Sequence, residues 1–363
     1  MKSRYLISCL AATGILVAPG LVAPAQSADF YAGKTVSLYI GNDSGSAYDQ
    51  YGRLFARNID RFVPGKPTMV ARNMPGAGGM RAMNFMYQAA PRDGLVWATV
   101  DRGIAAEPLL YGDAAKTAFK DPLEFNWIGS LNTEIGVFAV WHTTGIKSWD
   151  EVQKKQVIVA IASANGGVSS RVVNNLLNAN FRQVCCYGGG NNQNLAMERG
   201  EVEGRVGWSW SSLKASSMDW LKDGKIRILM QLGLQKNSEI PGDVPLVLDL
   251  AKSEKDKKAL EIIFSRQSMG RPFFLAPGVS ADRVAVVRTA FDAMVKDKAF
   301  LADAEKFHLE INDPKSGKDI EVILKNIYAS PPDAVAAARS ALASGEVKMV
   351  REAKKKKKKK KAE

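Results

Sequence analysis

Two copies of one pattern constrain this chain more than anything else in it. The apolar run Val36-Ser37-Leu38-Tyr39-Ile40 ends in a small polar loop, Gly41 to Asp49, after which Tyr51, Leu54, Phe55 and Ile59 follow at helical spacing. Far downstream, Val157-Ile158-Val159-Ala160-Ile161-Ala162 leads into Ser163-Ala164-Asn165-Gly166-Gly167-Val168-Ser169-Ser170, and Val172, Val173, Leu176 and Leu177 follow in the same way. Each copy reads strand, loop, helix. The loop then lies at the amino end of the helix, where unpaired N–H groups and the helix dipole favour an anion. One copy alone is equally an ordinary turn. Two copies, one in each half, predict two lobes whose loops face each other across a cleft suited to a small ligand.

The same grammar recurs between them. A short strand, Thr68 to Ala71, opens into Arg72-Asn73-Met74-Pro75-Gly76-Ala77-Gly78-Gly79, where three glycines in four positions let backbone amides approach a ligand. The strand 96–100 is followed by Asp101-Arg102-Gly103, which puts Arg102 at the cleft edge, and Val184-Cys185-Cys186-Tyr187 ends in Gly188-Gly189-Gly190-Asn191-Asn192. Trp208 follows a strand at 202–207 and is expected either to wall the cleft or to pack in its own core. Strands at 157–162, 183–187, 202–207 and 226–232 alternate with helices at 148–155, 169–179, 191–199 and 211–222, which predicts an α/β fold, each lobe a mainly parallel sheet flanked by helices. Crossings near Gly136 and Gly233 divide the chain into lobe 1 (29–135 plus 234–350) and lobe 2 (136–233).

The two ends read differently. Lys2 and Arg4 precede an apolar run to about Val22, and small residues around Ala23-Pro24-Ala25 and Ala25-Gln26-Ser27 suit a signal-peptidase site, so residues 1–27 are expected to be a signal peptide for export to the periplasm. Of the formal charge of +13, Lys2 and Arg4 contribute two and the run Lys354–Lys361 eight, leaving a nearly neutral body at +3. A like-charged run cannot bury itself, so 351–363 is expected to be a disordered tail, and no nucleic-acid partner is expected. Beyond Cys9, the chain has only Cys185 and Cys186. Adjacent side chains in a strand point to opposite faces, so two small buried thiols are expected.

Catalytic signatures are scarce. His142 and His308 are the only histidines, and there is no G-x-S-x-G, H-E-x-x-H, Walker A or C-x-x-C motif. Ser211-Ser212-Leu213-Lys214 has S-x-x-K spacing but no visible partners. Asp43 and Asp49 read as helix caps more readily than as an acid/base pair. No metal, cofactor or catalytic residue is expected. Loops rich in Gly, Ser and Asn at strand ends offer donors suited to a carboxylate, and Arg102 and Arg271 are each placed either to add a charged contact or to sit in an ion pair.

The segments Gly41 to Asp49, Asn73-Met74-Pro75-Gly76-Ala77-Gly78-Gly79, Ala90-Pro91-Arg92-Asp93-Gly94 and Ser163-Ala164-Asn165-Gly166, in this order, resemble the solute-binding proteins of tripartite tricarboxylate transporters, the Bug or TctC-like family. The resemblance covers almost all of the chain after the expected signal peptide, and N-x-P-G-A-G-G with the P-x-D-G turn is its most specific part. It implies a two-lobed periplasmic binding protein fold of type II that closes on a small carboxylated solute and delivers it, as a monomer, to the membrane permease subunits of such a transporter. It also implies a site formed by Ser44, Gly45, Ser46 and Asp49 and by Gly76, Ala77, Gly78 and Gly79, to which the opposing lobe would add Ser163, Asn165, Ser169, Tyr187, Gly189, Gly190 and Asn191. Tyr48, Arg102 and Trp208 join these as candidates by their own positions in the chain. The first loop lacks the family's usual Pro, aromatic and Gly-Gly pair, and Cys185-Cys186-Tyr187-Gly188-Gly189-Gly190 replaces the usual V-P-Y-K-G. Two other functions fit the residues: a ligand sensor signalling to a membrane receptor, and a secreted hydrolase using Ser211 and Lys214.

Overall fold

The computed structural model describes residues 30–162, 167–343 and 347–349. The expected signal peptide, Ser163, Asn165 and the Lys354–Lys361 run lie outside the described residues.

The first of the two repeated patterns folds as read. Strand β1 (Thr35–Ile40) buries Val36, Leu38 and Ile40 at alternate positions, and helix α1 (Ala47–Ile59) starts at Ser46, whose hydroxyl accepts the Asp49 N–H. Strand β2 (Thr68–Asn73), helix α2 (Met80–Gln88), strand β3 (Val96–Thr99), the short helix α3 (Glu107–Tyr111) and strand β4 (Asn126–Ser130) follow. At Gly136 the chain enters a second sheet through β5 (Gly136–Trp141). Helix α4 (Trp149–Lys154), β6 (Val157–Ala160), α5 (Val168–Leu177), β7 (Phe181–Cys185), α6 (Gly190–Glu198), β8 (Gly204–Ser209), α7 (Trp210–Lys222) and β9 (Ile226–Leu232) complete that alternation.

After β9 come α8 (Glu254–Phe264), β10 (Pro272–Leu275), α9 (Ala281–Met294), α10 (Lys298–Lys306), β11 (Lys315–Ser316), α11 (Gly317–Tyr328), α12 (Pro332–Ala341) and β12 (Val347–Met349). The first sheet has the order β11-β4-β10-β3-β1-β2 and the second β12-β7-β6-β8-β5-β9.

Both sheets are mixed rather than mainly parallel. In the first, β1 runs parallel to β2 and β3, whereas β10 is antiparallel to β3 and β4, and β11 to β4. In the second, β6 is parallel to β7 and β8, and β5 is antiparallel to β8 and β9. A strand that arrives from the other lobe is not tied to a helical crossover, so its direction is free of the rule that makes βαβ neighbours parallel. The later helices also divide differently from the reading. Helix α12 packs on α8 in the second lobe's core, and β12 pairs with β7, where both were expected in lobe 1. The faces of Leu260, Ile263, Val335 and Ala338 that these helices bury match each other rather than the first sheet.

The first core centres on Phe55, stacked on Phe273 at 4.0 Å, with Trp97, Trp127 and Phe291 around it. The second sheet has one core on each face. Cys185 and Cys186 are joined to each other, and the peptide between them is cis. This corrects the expectation of two buried thiols: the two sulfurs are bonded to each other, and only Cys185 is buried while Cys186 is exposed.

Candidate ligand cleft

Loop 41–46 is shaped from behind by one carboxylate. Asp49 Oδ2 accepts the Gly45 N–H at 2.9 Å, and Oδ1 accepts Arg53 Nε at 2.9 Å and Asn73 Nδ2 at 2.8 Å. Burial by itself would raise the Asp49 pKa, but the bonds from Arg53, Gly45 and Asn73 outweigh it and hold the carboxyl below its ordinary value. Asn73 also donates to the Asn42 carbonyl at 2.9 Å, so the first residue of the N-x-P-G-A-G-G motif ties the second loop to the first. The two loops touch through backbone: a Cβ on Gly41 would lie 2.9 Å from Gly79 Cα. Gly78 and Gly79 both hold positive φ, at 71° and 105°, which glycine adopts without steric cost.

Between the lobes are two adjoining cavities of about 250 and 190 Å³. Ala77, Gly78, Arg102, Ser169 and Trp208 line the larger, and Gly45, Ser46, Tyr48, Gly189, Gly190, Asn191 and Trp208 the smaller. Ser44, Asp49, Gly76, Gly79 and Tyr187 line neither. Asp49 stands behind the first loop, Gly79 is buried under Val100 and Ile104, Tyr187 reaches Glu201, and Ser44 and Gly76 are exposed. The lobes meet at the cleft rim, where Asn191 Nδ2 donates to the Gly45 carbonyl at 3.2 Å and Arg102 Nη2 to Ser209 Oγ at 3.3 Å.

Two arginines not singled out in the sequence face the larger cavity beside Arg102. Arg205, on β8, lies over the Trp208 ring at 4.2 Å and donates to the Gly190 carbonyl at 3.3 Å and to the Asn194 side chain. Burial pushes its pKa down to about 9. Arg266 stands in the turn 265–269 that leads back to the first sheet; burial lowers its pKa as well, with Asp101 opposing. Among the described residues none of Arg102, Arg205 and Arg266 forms an ion pair, and the Nε of each is buried without a hydrogen-bond partner. Buried cations are ordinarily paired with an opposite charge, so three guanidiniums without an ion pair among the described residues, on one cavity, mark it as a place for an anion. A charged residue inside an otherwise apolar strand, Arg205 between Gly204 and Val206, was the available local signal.

Arg271, by contrast, is spent inside the protein, in an ion pair with Glu134 at 3.1 Å. Ser211 and Lys214 do not act on each other. The Ser211 hydroxyl bonds Glu134 and Arg271, while the Lys214 ammonium is held by Glu239 at 2.5 Å and Glu310 at 3.1 Å. Burial opposes the charge on Lys214, but those carboxylates raise its pKa overall, the opposite of what a base needs. Trp208 packs in the second lobe's core and also lines both cavities.

No protein-family profile matches the chain, and no curated protein matches it. Solved structures do. A TctC solute-binding protein from Polaromonas, without ligand, aligns over 85% of this chain and 98% of that chain at 16% identity and a TM-score of 0.56. The periplasmic binding protein BugD aligns over 86% and 98% at 15% identity and a TM-score of 0.64. MatC from Rhodopseudomonas palustris with bound malate aligns over 83% and 99% at 17% identity and a TM-score of 0.63. The chain has the two-lobed α/β fold of the TctC and Bug periplasmic binding proteins.

Proposed function

We propose that this chain is a periplasmic solute-binding protein, not an enzyme, that captures a small carboxylated solute between its lobes and delivers it to a tripartite tricarboxylate-type membrane permease. The observation that carries this reading is the convergence of Arg102, Arg205 and Arg266, each without an ion-pair partner among the described residues, on a cavity of about 250 Å³ between the lobes. The malate bound to MatC, a protein of the same fold, supports a carboxylate as the solute. The exported location rests on the signal-like residues 1–27 and on the periplasmic proteins that share the fold.

Thermal unfolding of the protein after ligand stripping, against mono-, di- and tricarboxylates, aromatic acids, amino acids and neutral sugars, tests the binding. A ligand at 100 times its dissociation constant adds about 2.7 kcal/mol to stability. Stabilisation by carboxylates supports the reading, and stabilisation by neutral sugars alone overturns it. Delivery predicts that a strain lacking this chain loses uptake of the solute that stabilises the protein.

A further inference from the structure

The loop that the second lobe brings to the cleft begins at the bonded cysteine pair. Cys185 ends β7 and is fully buried, while Cys186 is exposed. Just beyond them, Gly188, Gly189, Gly190 and Asn191 line the smaller cavity, and Gly188 lines the larger one as well. The same loop reaches the first lobe, through Asn191 to the Gly45 carbonyl and through the close approach of Gly188 to Asp43. Its backbone hangs on the end of β6. The Ile161 N–H donates to the Val184 carbonyl at 3.0 Å, the Tyr187 N–H to the Ile161 carbonyl at 3.2 Å and the Gly188 N–H to the Ala162 carbonyl at 3.0 Å. In a regular parallel ladder, with Ala160 opposite Val184, the Ile161 carbonyl would take the N–H of Cys186 instead. The cysteine pair is therefore one residue more than the ladder holds, a bulge, and the bond between its two sulfurs closes the bulge on itself.

Opening that bond removes the constraint. Two separate thiols can resume the alternation of a strand, with Cys186 on the Ile161 carbonyl, and this draws the glycines that follow one residue along. Cys186 is the exposed member, the one that an external thiolate can reach. We propose that Cys185 and Cys186 form a reversible redox site that controls solute capture: the oxidised pair holds loop 187–190 against the first lobe, and reduction by a dithiol releases it and weakens binding. A thiolate of the reductant bonds to Cys186 Sγ as the bond between the cysteines breaks, and the Cys185 sulfur takes up a proton. The second thiol of the reductant then displaces Cys186 from the mixed disulfide. The protein gains two electrons and two protons, and the reductant leaves as a cyclic disulfide. The inference rests on the solute-binding reading above and adds a covalent control of the same cleft.

Dithiothreitol, added to the full chain, tests this. Before treatment, the peptide carrying Cys185 and Cys186 should take up no iodoacetamide under denaturing conditions, and after treatment both cysteines should be labelled. Hydrogen exchange at the Tyr187 and Gly188 amides should quicken at least about tenfold on reduction, while that of β1 is unchanged. The binding probes are malate, adipate, citrate, benzoate and aspartate, and calorimetry should find the tightest of them at least about fivefold weaker on the reduced protein. By reciprocity, the same probe at saturation should make the pair harder to reduce by the same factor. Cys185→Ala with Cys186→Ser should bind like the reduced protein and should not respond to dithiothreitol.

Labelling of both cysteines before treatment overturns the inference and leaves the binding cleft standing. So does a reduced protein whose loop exchange or affinity stays within about twofold of the oxidised one. Binding of none of the probes in either state overturns both readings.

Discussion

Arg271 Nη2 lies 3.1 Å from Glu134 Oε2, and both side chains are almost sealed from water, at 1% and 2% exposure. The pair joins the start of β10 to the segment where the chain first crosses between lobes. The rings of Tyr48 and Tyr51 each lie 4.8 Å from the guanidinium, and Ser211 of the second lobe bonds both partners. Breaking a buried pair on one side leaves an uncompensated charge and costs about 3–5 kcal/mol, whereas replacing both partners by apolar groups is often close to neutral. Urea unfolding of Glu134→Gln should therefore show a loss of that size, and Glu134→Leu with Arg271→Met should recover more than half of it. A loss below about 1 kcal/mol in the single variant would mean that the pair is not sealed as described.

Gly188 stands where the second lobe reaches the first. It holds φ at +75°, and a Cβ there would lie 2.9 Å from the Asp43 carboxylate across the cleft. Gly188→Val adds backbone strain within one loop and a wedge between the lobes. Solute affinity should fall at least tenfold, about 1.4 kcal/mol, while far-ultraviolet circular dichroism is unchanged. Affinity within twofold of wild type would show that this approach is not part of binding.

Gly78 tests the second loop on its own. It has φ +71° on the wall of the larger cavity and is exposed there. Gly78→Val puts a branched side chain into the space assigned to the solute, and calorimetry should report a loss of more than tenfold. A change below about 0.5 kcal/mol, roughly twofold, excludes the loop from the site.

Glu107 has a signature in stability even without ligand. Its folded pKa of about 7 lies above the ordinary 4.5, so between those values the native carboxyl keeps a proton that the unfolded chain has released. Stability of the free protein is then full below pH 4.5 with respect to this group and is lost as pH rises through 7. Glu107→Gln removes the loss. In urea unfolding the variant should match wild type near pH 4.5 and exceed it by roughly 1–3 kcal/mol at pH 8, since one pKa unit corresponds to about 1.4 kcal/mol. Equal stabilities at pH 8 would show that Glu107 is not held in a charge-disfavouring place.

Much of the cleft was legible because glycine and small polar residues at the ends of apolar runs have few other uses. Ala77, Gly78, Gly45, Ser46, Gly189 and Gly190 follow strands and line cavities for that reason. Asp49, Gly79 and Tyr187 lie in the same loops and yet face away, because spacing places a residue in a loop without saying which side of it meets the cleft. Arg266 carried no local signal at all, and the signal at Arg205 did not say that it would face the cleft, for a related reason. Whether an arginine is solvated or buried depends on what the other lobe brings against it, and Arg266 reaches the cavity from a turn more than sixty residues beyond Arg205.

By itself the amino-acid sequence determined the local elements and the places where the chain crosses. Periodicity is set by which residues each strand or helix must bury, and the crossings at Gly136 and beyond β9 follow from where that pattern changes. Only the tertiary structure decided the direction of the crossing strands, the return of α12 and β12 to the second lobe, and the gathering of three arginines and two acids around one cavity. Those are long-range outcomes, set by faces and charges that meet only after two separate sheets have come together.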